Sequence, residues 1–238
     1  IHGGGLDLIF PHHENEIAQS KCAHGNKTFA KYWMHNGFLL SEGTKMSKSS
    51  GNFYTVHDLL EEFPGEAIRL VLLKSHYRKP LDFSKVGLCE AKTELDRFYN
   101  VLRKHAAIPT KKSDTPECVA SQLKDDLNTP GAISALHQCL NKLKSSEANC
   151  ISPAKSELLA AGQSLGLLGQ DPEDWFKWQP SDGAGTDLSV EHIDELIAER
   201  VKARASKDFI TSDRIRDQLI NNNIILEDNK DGTIWRRS

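Results

Sequence analysis

The first residues whose types could do chemistry form a glycine-rich cluster at the start of the chain. His2 is followed by three successive glycines, Gly3 to Gly5, and then by Asp7. Because glycine has no Cβ, a bound nucleotide could come close to this backbone and accept hydrogen bonds from its amides. A flexible turn would have the same composition, so the glycine run alone leaves both interpretations open.

A histidine and a glutamate follow at a spacing that suits a metal ion. Pro11 stands where the first turn of a helix tolerates proline, which would put His12 and Glu16 on one helical face. An imidazole and a carboxylate so placed can both reach one zinc ion. The alternative is a solvated pair on a surface helix. His13 and Glu14 are expected to point elsewhere on the helix.

The second cluster is the five-residue string from Lys45 to Ser49, which also contains Lys48. Two lysines three residues apart on a mobile loop can place positive charge over a triphosphate and stabilise charge as pyrophosphate leaves. A solvated basic turn could carry similar residues, but this string is unusually specific.

Hydrophobic periodicity predicts the helices that must position these residues. The first helix, from about Pro64, should bury one stripe of apolar residues. That stripe comprises Ala67, Ile68, Val71 and Leu72. Further helices are expected from Ser84, from Thr129, over 153–168, and after the capping residues Ser189 and Ser212.

Two other stretches interrupt this helical pattern. Residues 169–187 contain prolines, glycines and three aromatics without a clear period, which predicts a linker whose aromatics pack on a neighbouring part. Near the end, Asp231-Gly232 predicts a tight turn between two short strands, 224–226 and 233–235.

Composition excludes several classes of protein. The 238 residues carry 30 Lys+Arg against 33 Asp+Glu, so net charge gives no reason to expect a nucleic-acid or membrane-surface partner. No apolar run approaches the roughly 20 residues that span a bilayer, which predicts a soluble protein without a membrane partner. Five widely spaced cysteines without a Cys-x-x-Cys pair fit a reducing cytoplasm. The start at Ile1 suggests the carboxyl-terminal part of something longer.

The motifs resemble a known family. The string from Lys45 to Ser49 matches the second signature, KMSKS, of class I aminoacyl-tRNA synthetases, and residues 2–16 look like the corresponding segment of cysteinyl-tRNA synthetase. The similarity continues through 32–37, 76–78, 125–130 and 207–237, so it covers essentially the whole chain.

This resemblance implies a chemistry and a set of ligands. The implied enzyme activates cysteine with ATP and Mg²⁺ to cysteinyl-adenylate, transfers it to cysteine tRNA, and is a cytoplasmic monomer. The resemblance also implies a Zn²⁺ ion that binds the substrate thiolate, with His12 and Glu16 as two ligands and two upstream cysteines as the others. Since a thiolate binds zinc far better than a hydroxyl does, serine would be rejected without editing.

The remaining site residues come from the same resemblance. Asp7 falls near the ammonium group of the substrate. Gly5 and Lys48 fall at ATP, and Lys45 is a second catalytic and nucleotide-binding candidate.

The fold class implied is α/β plus mostly α, in three parts. A partial Rossmann-like catalytic domain would occupy 1–75, a stem-contact segment and helical bundle 76–175, and a linker with a small α/β anticodon-binding module 176–238. In that module, arginine donors, acidic acceptors and an aromatic would contact unpaired bases. The candidates are Arg214, Asp217, Trp235, Arg236 and Arg237. A hairpin-core role for Trp235 and a helix-surface pair of Arg214 with Asp217 are the alternatives.

Parts of the family pattern are missing from this chain. The HIGH signature, both zinc cysteines and the first half of the nucleotide fold lie upstream in the family, so we expect the chain alone to be inactive or poorly active. Two other functions stay open: the related cysteine ligase of mycothiol synthesis, and a synthetase-derived module that binds tRNA or protein without catalysis.

Overall fold

The computed structural model describes residues 1–41, 43–46, 54–180, 188–229 and 232–237, with the backbone alone at Lys45 and Asn229. The chain groups into two compact units, each drawn from several stretches. One unit comprises Ile1–Tyr54, Glu66–Leu95 and Ala107–Gly169; the other comprises Thr55–Gly65, Asp96–Ala106 and Gln170–Ser238. The division into three parts at 75 and 175 stays a prediction.

The first unit opens with a strand–helix–strand arrangement. Strand β1 (His2–Gly5) is followed by a wide helical turn, Ile9–His13, and then by helix α1 (Glu14–His24). Strand β2 (Trp33–Asn36) pairs in parallel with β1. Two parallel strands joined through a helix form the repeating unit of α/β folds, which agrees with the α/β character expected of this region.

A second small sheet carries the chain toward the Lys45–Ser49 string. Strand β3 (Leu39–Ser41) pairs antiparallel with β4 (Thr44–Lys45), with Leu40 opposite Lys45. The turn between these strands contains Gly43 at a φ of 77°, a left-handed conformation that glycine adopts readily. This sheet therefore sets where the backbone of the string begins.

Helices make up most of the chain. After α2 (Val56–Glu62) and α3 (Gly65–Leu73), strand β5 (Leu81–Phe83) pairs in parallel with β3. Four more helices of this unit and its neighbour follow along the chain: α4 (Lys85–Lys104), α5 (Glu117–Lys124), α6 (Thr129–Lys144) and α7 (Ile151–Ser164). Across the described ranges, we find no helix both long and apolar enough to cross a bilayer.

The buried face of α3 differs from the predicted stripe at one position. Ala67, Ile68 and Val71 are buried as expected, but Leu72 is 47% exposed and Leu70 is buried instead. Successive residues of a helix are rotated by about 100°, so the buried residues lie around the helix axis in the order Leu70, Ala67, Val71, Ile68. Leu72 comes about 40° after Ile68 and therefore lies outside the buried face.

The second unit contains the carboxyl-terminal elements. They are α8 (Pro172–Lys177), α9 (Val190–Ala205), α10 (Phe209–Asn221), β6 (Ile224–Asn229) and β7 (Gly232–Arg237). The antiparallel pairing of β6 with β7 confirms the predicted hairpin. Its apolar side and the two preceding helices share one core, composed of Ile193, Leu196, Ile197, Ile215, Leu219, Ile224 and Trp235.

The segment predicted as a linker contains a helix. Asp171 caps α8 by accepting a hydrogen bond from the backbone amide of Glu173. Trp175 on this helix is buried, stacks on Tyr99 at 4.5 Å and donates its indole N–H to Asp96 at 2.7 Å. The prediction that aromatics here pack on a neighbouring part is therefore confirmed for Trp175, while 181–187 lie outside the described residues.

The predicted helix starts are partly confirmed. Ser84 and Ser189 each accept a hydrogen bond from the backbone amide three residues ahead. Asn128 rather than Thr129 caps α6, and Asp208 rather than Ser212 caps α10. Asparagine caps more strongly than threonine, whereas aspartate and serine cap about equally, so Asp208 is used because α10 begins earlier than predicted.

Glu94 on α4 ties three parts of the first unit together. Its carboxylate accepts hydrogen bonds from His137 Nε2 of α6 at 2.7 Å and from Lys74 Nζ, just after α3, at 2.8 Å. These bonds, that from His137 foremost, hold the pKa of Glu94 at about 2 against an ordinary 4.5. Ionised Glu94 therefore stabilises the fold above pH 4.5, and this contribution is lost as the pH falls toward 2.

We predict that Glu94→Gln lowers the free energy of unfolding at pH 6 by on the order of 2–3 kcal/mol, because the charged acceptor is removed. The difference from wild type should shrink by more than half at pH 2.5, as measured by urea unfolding. The exposed Glu90→Gln on the same helix is the control. A Glu94→Gln deficit that is equal at both pH values would contradict the assignment.

Candidate functional site

The elements around β1 bring a group of histidines together. His13, in the turn before α1, is 3% exposed, and its Nδ1 lies 2.9 Å from Nε2 of His35 on β2. The ring of His2 on β1 packs edge-on against His13 at 4.7 Å between centroids. Burial foremost, and then the neighbouring His2, lower the pKa of His13 below 6.5. His13 thus stands at the centre of the cluster and is buried, not on the surface of the helix.

Glu16 connects this histidine group to the predicted metal pair. Its Oε2 lies 2.8 Å from Nε2 of His2, and its Oε1 lies 3.5 Å from Nε2 of His12. The expectation that His12 and Glu16 are neighbours four residues apart is therefore confirmed. The side chain of His12 is 60% exposed, so the pair is open to a ligand.

Two sets of atoms here could hold a metal ion. His2, His13 and Glu16 offer ligand atoms within 4.8 Å of one another, and His12 with Glu16 forms the second set. Ligand atoms about 2.0–2.1 Å from a tetrahedral zinc lie about 3.3–3.4 Å apart. The 3.5 Å between His12 and Glu16 fits that spacing, whereas 2.8 Å between His2 and Glu16 is a hydrogen-bond length. The geometry favours His12 and Glu16 as ligands, with His2 orienting the carboxylate.

The glycine run allows neighbouring side chains and backbone atoms of the protein to pack closely against β1. A Cβ atom at Gly4 would lie 2.8 Å from Cδ1 of Leu8 and 3.1 Å from Cε1 of the His13 ring, and one at Gly3 would lie 3.2 Å from the carbonyl oxygen of Met34. A Cβ atom at Gly5 would collide with the carboxylate of Asp7, which lies in the short turn Leu6–Leu8. The glycines are thus needed for internal packing, and the substrate roles of Gly5 and Asp7 stay predictions.

The lysine string is only partly described. The backbone of Lys45 lies in β4, and the amide of Met46 donates to the carbonyl oxygen of Leu39 at 3.3 Å. The side chain of Lys45 and the whole of Lys48 lie outside the described residues, so the predicted roles of both lysines stay predictions.

The anticodon candidates are distributed between the surface and the core. Arg214 lies 3.7 Å from Glu199, and Asp217 lies 3.4 Å from Arg216, so the alternative Arg214–Asp217 pair is not the one formed. Arg236 donates to Glu227 at 3.1 Å on the half-buried side of the hairpin.

Two of these candidates are buried. Trp235 is 4% exposed and donates its indole N–H to Asp194 at 2.8 Å, which confirms the hairpin-core alternative. Arg237 is buried as well and donates to the carbonyl oxygen of Leu188. Neither side chain is accessible to a base in this structure. An exposed aromatic, Phe209 at the start of α10, was missed by the sequence analysis and is 63% exposed.

Comparison with protein families assigns two parts of the chain. Residues 1–93 match the family described as tRNA synthetases class I (C) catalytic domain, and residues 119–169 match the DALR domain. A solved structure agrees in fold: LeuRS of Agrobacterium radiobacter K84, crystallised with tRNA and LeuAMS, superposes with a TM-score of 0.57. It is 16% identical and covers 73% of this chain and 26% of its own. The chain therefore belongs to the class I tRNA synthetases.

Curated relatives identify the particular branch. The cysteine–tRNA ligase of Rhodospirillum rubrum is 50% identical over 242 aligned residues, and that of Rhodospirillum centenum is 52% identical over 238. Each alignment covers 100% of this chain but only 52% and 51% of the relative. The chain is thus a member of the cysteine–tRNA ligase family that spans about half the length of its curated relatives.

We predict that Gly4→Ala displaces the Leu8 side chain and shifts the His13 ring, because the added methyl group would lie 2.8 Å from Cδ1 of Leu8 and 3.1 Å from Cε1 of His13. The expected loss in the free energy of unfolding is about 1–3 kcal/mol, measured by urea unfolding. The imidazole signals of His13 and His35 should shift in NMR spectra. Gly87→Ala on α4, whose Cβ would make an ordinary contact with Ser84, is the control and should not destabilise. Unchanged imidazole signals in Gly4→Ala would refute the packing argument.

Proposed function

We propose that this chain, together with an amino-terminal half like that of its relatives, is a cysteine–tRNA ligase. In this reaction a carboxylate oxygen of cysteine bonds to the α-phosphorus of ATP, and pyrophosphate leaves. A hydroxyl of the terminal tRNA adenosine then attacks the acyl carbon of cysteinyl-adenylate, and AMP leaves. The single observation that supports the proposal most is the 50% identity to the Rhodospirillum rubrum ligase along the entire chain.

The arrangement of Glu16 supports a zinc site for the substrate thiol. Its two oxygens face different partners, since Oε1 is 3.5 Å from His12 and Oε2 is 2.8 Å from His2. His2 would hold the carboxylate in place while Oε1 and His12 bind the metal, with two cysteines of the other half completing the set. When bound, zinc would hold the cysteine thiolate and so distinguish it from serine.

The ammonium group of cysteine and the phosphates of ATP would be bound by other residues of the first unit. Asp7, two residues beyond the end of β1, supplies a negative charge suited to the cysteine ammonium group. The β3–β4 hairpin leads into the string that carries Lys48. Positive charge delivered there would stabilise the departing pyrophosphate.

The carboxyl-terminal unit would bind the anticodon through its exposed side chains. Arg214 and Asp217 lie on α10, and Arg236 lies on the hairpin. Because Trp235 is buried, the exposed Phe209 is the better candidate to stack on an unpaired base. From Leu188 to Ser238 there are nine Lys+Arg and ten Asp+Glu, so binding would depend on these particular contacts rather than on net charge.

The experiment that tests this function joins the chain to the amino-terminal half of the Rhodospirillum rubrum ligase. Cysteine-dependent exchange of pyrophosphate into ATP and charging of cysteine tRNA are measured for the joined protein and for the chain alone. We expect both activities in the joined protein and little or none in the chain alone. Pyrophosphate exchange without tRNA charging would favour the related cysteine ligase of mycothiol synthesis. Folded, zinc-loaded protein without exchange would favour a binding module.

We predict that His12→Ala and Glu16→Gln in the joined protein sharply lower both zinc content and cysteine activation, because each removes a ligand. His2→Ala should weaken zinc binding by about 10–100-fold, since it frees the Glu16 carboxylate. Zinc is measured by mass spectrometry, which does not depend on activity. His24→Ala, an exposed histidine at the end of α1, is the matched control. Wild-type zinc content in His12→Ala would show that the ligand assignment is wrong.

We predict that Lys48→Ala lowers the rate of adenylate formation by about 10²–10³-fold while the KM for cysteine stays nearly constant, because this lysine would act on phosphate charge. Pyrophosphate exchange at saturating cysteine measures the effect. Lys27→Ala, an exposed lysine of the same unit, is the control. A defect confined to the cysteine KM would contradict this role.

A further inference from the structure

Two of the sequence segments shared with the family meet at one carboxylate outside the candidate site. Asp126, between α5 and α6, accepts hydrogen bonds from the Tyr77 hydroxyl at 2.7 Å and from Arg78 Nε and Nη2 at 2.7 and 3.1 Å. Its carbonyl oxygen lies 2.9 Å from Nε2 of His76. One residue thus binds three consecutive residues of the loop before β5.

The backbone around Asp126 is held in an unusual conformation. Asp126 and Leu127 have φ values of 47° and 55°, the left-handed region that side-chain-bearing residues seldom adopt. Leucine lacks the short polar side chain that eases this conformation for aspartate or asparagine. Two successive strained residues persist only where the surroundings impose them, and such strain is often found at positions with a functional role.

The loop that Asp126 holds is hydrogen-bonded to Gly37 and Phe38, which join strand β2 of one sheet to strand β3 of the other; we call these two residues the joint. The amide of Gly37 donates to the carbonyl oxygen of Tyr77 at 2.7 Å, and the amide of Leu81 donates to that of Phe38 at 3.0 Å. A Cβ at Gly37 would collide with the carbonyl oxygen of Lys79, so the loop lies directly against this joint.

Gly37 and Phe38 separate β2, which belongs to the histidine group, from β3, which leads to the lysine string. On one side, β2 carries His35, the hydrogen-bond partner of His13. On the other side, β3 pairs with β4, where the string containing Lys45 and Lys48 begins. The position of the joint therefore sets the position of the histidine group relative to β4.

We propose that Asp126 is a positioning residue for adenylate formation. Its hydrogen bonds to Tyr77 and Arg78 fix the position of Gly37. Gly37 in turn fixes the distance between the histidine group, where cysteine would bind, and β4, which leads to the string that would contact ATP. This inference rests on the proposed function. Asp126 belongs to the stretch matching the DALR domain, and Tyr77 and Arg78 belong to the catalytic match, so the helical domain completes the geometry of the catalytic one.

The charges agree with a persistent contact. The hydrogen bonds from Arg78 and then Tyr77 hold the pKa of Asp126 at about 2, so its carboxylate is ionised throughout the physiological range. The same bond to Asp126 raises the pKa of the Tyr77 hydroxyl, which keeps it a donor.

The test uses variants that separate the carboxylate from the backbone strain. Asp126→Gly removes the carboxylate while allowing a left-handed backbone, and Asp126→Asn keeps a neutral acceptor and also tolerates that backbone. Asp125→Asn, at the neighbouring position, is the matched control. In the joined protein, adenylate formation is measured as a rate per active site, after titration of active sites by the burst of bound adenylate.

We expect the per-site rate to fall more than tenfold in Asp126→Gly and less in Asp126→Asn, with the KM for ATP little changed. A loss of folded protein would lower the number of active sites but not the rate at each one. A per-site rate within threefold of wild type in Asp126→Gly would overturn the proposal. Tyr77→Phe combined with Asp126→Gly should cost less than the two single effects together, because both changes remove the hydrogen bond between the Tyr77 hydroxyl and Asp126.

A second measurement does not depend on ligase activity. In the chain itself, Asp126→Gly should speed amide hydrogen exchange at Gly37 and Leu81 more than tenfold, with the β6–β7 hairpin unchanged. Exchange at Gly37 within threefold of wild type would overturn the proposal even if the rate fell. If the wild-type joined protein formed no adenylate, the proposed function would fail, and the exchange data would still decide whether Asp126 fixes the joint.

Discussion

The contact between the His13 ring and the bare backbone of Gly4 is the constraint on which the site depends. With no side chain at Gly4, the ring can lie against β1, where it contacts His2 and bonds to His35 of β2. That placement sets the start of α1, and α1 in turn carries Glu16 back over His2. A glycine run that resembles a ligand-binding loop is thus first a packing requirement, which leaves room for both roles.

Carboxylates that contact several basic or hydroxyl side chains recur as organising points. Glu16 lies between two histidines, Glu94 accepts from a histidine and a lysine, and Asp126 accepts from a tyrosine and an arginine. In the carboxyl-terminal unit, Asp228 accepts from the buried Arg200 through two parallel bonds and from Arg204 as well. Each joins residues distant in sequence, so a formal charge near zero conceals a set of specific ion pairs.

Local patterns predicted the elements better than the contacts between them. Periodicity predicted the longer helices but missed the short α2, α5 and α8. The caps at Ser84 and Ser189 were right because a cap is bonded within three residues. Ser212 failed because α10 begins one turn earlier, at an exposed Phe209 that adds nothing to the apolar stripe.

The candidate site shows the same limit. The spacing of His12 and Glu16 was sufficient to predict their proximity, since both belong to one local segment. The roles of His2 and His35 depend on the parallel pairing of β1 with β2, which aligns residues about thirty positions apart and leaves no periodic signal in the sequence. The length of the Glu16 side chain has a consequence of its own. Aspartate, one methylene shorter, could not face His12 with one oxygen and His2 with the other from the same backbone position. The site therefore requires the length of a glutamate side chain as well as its negative charge.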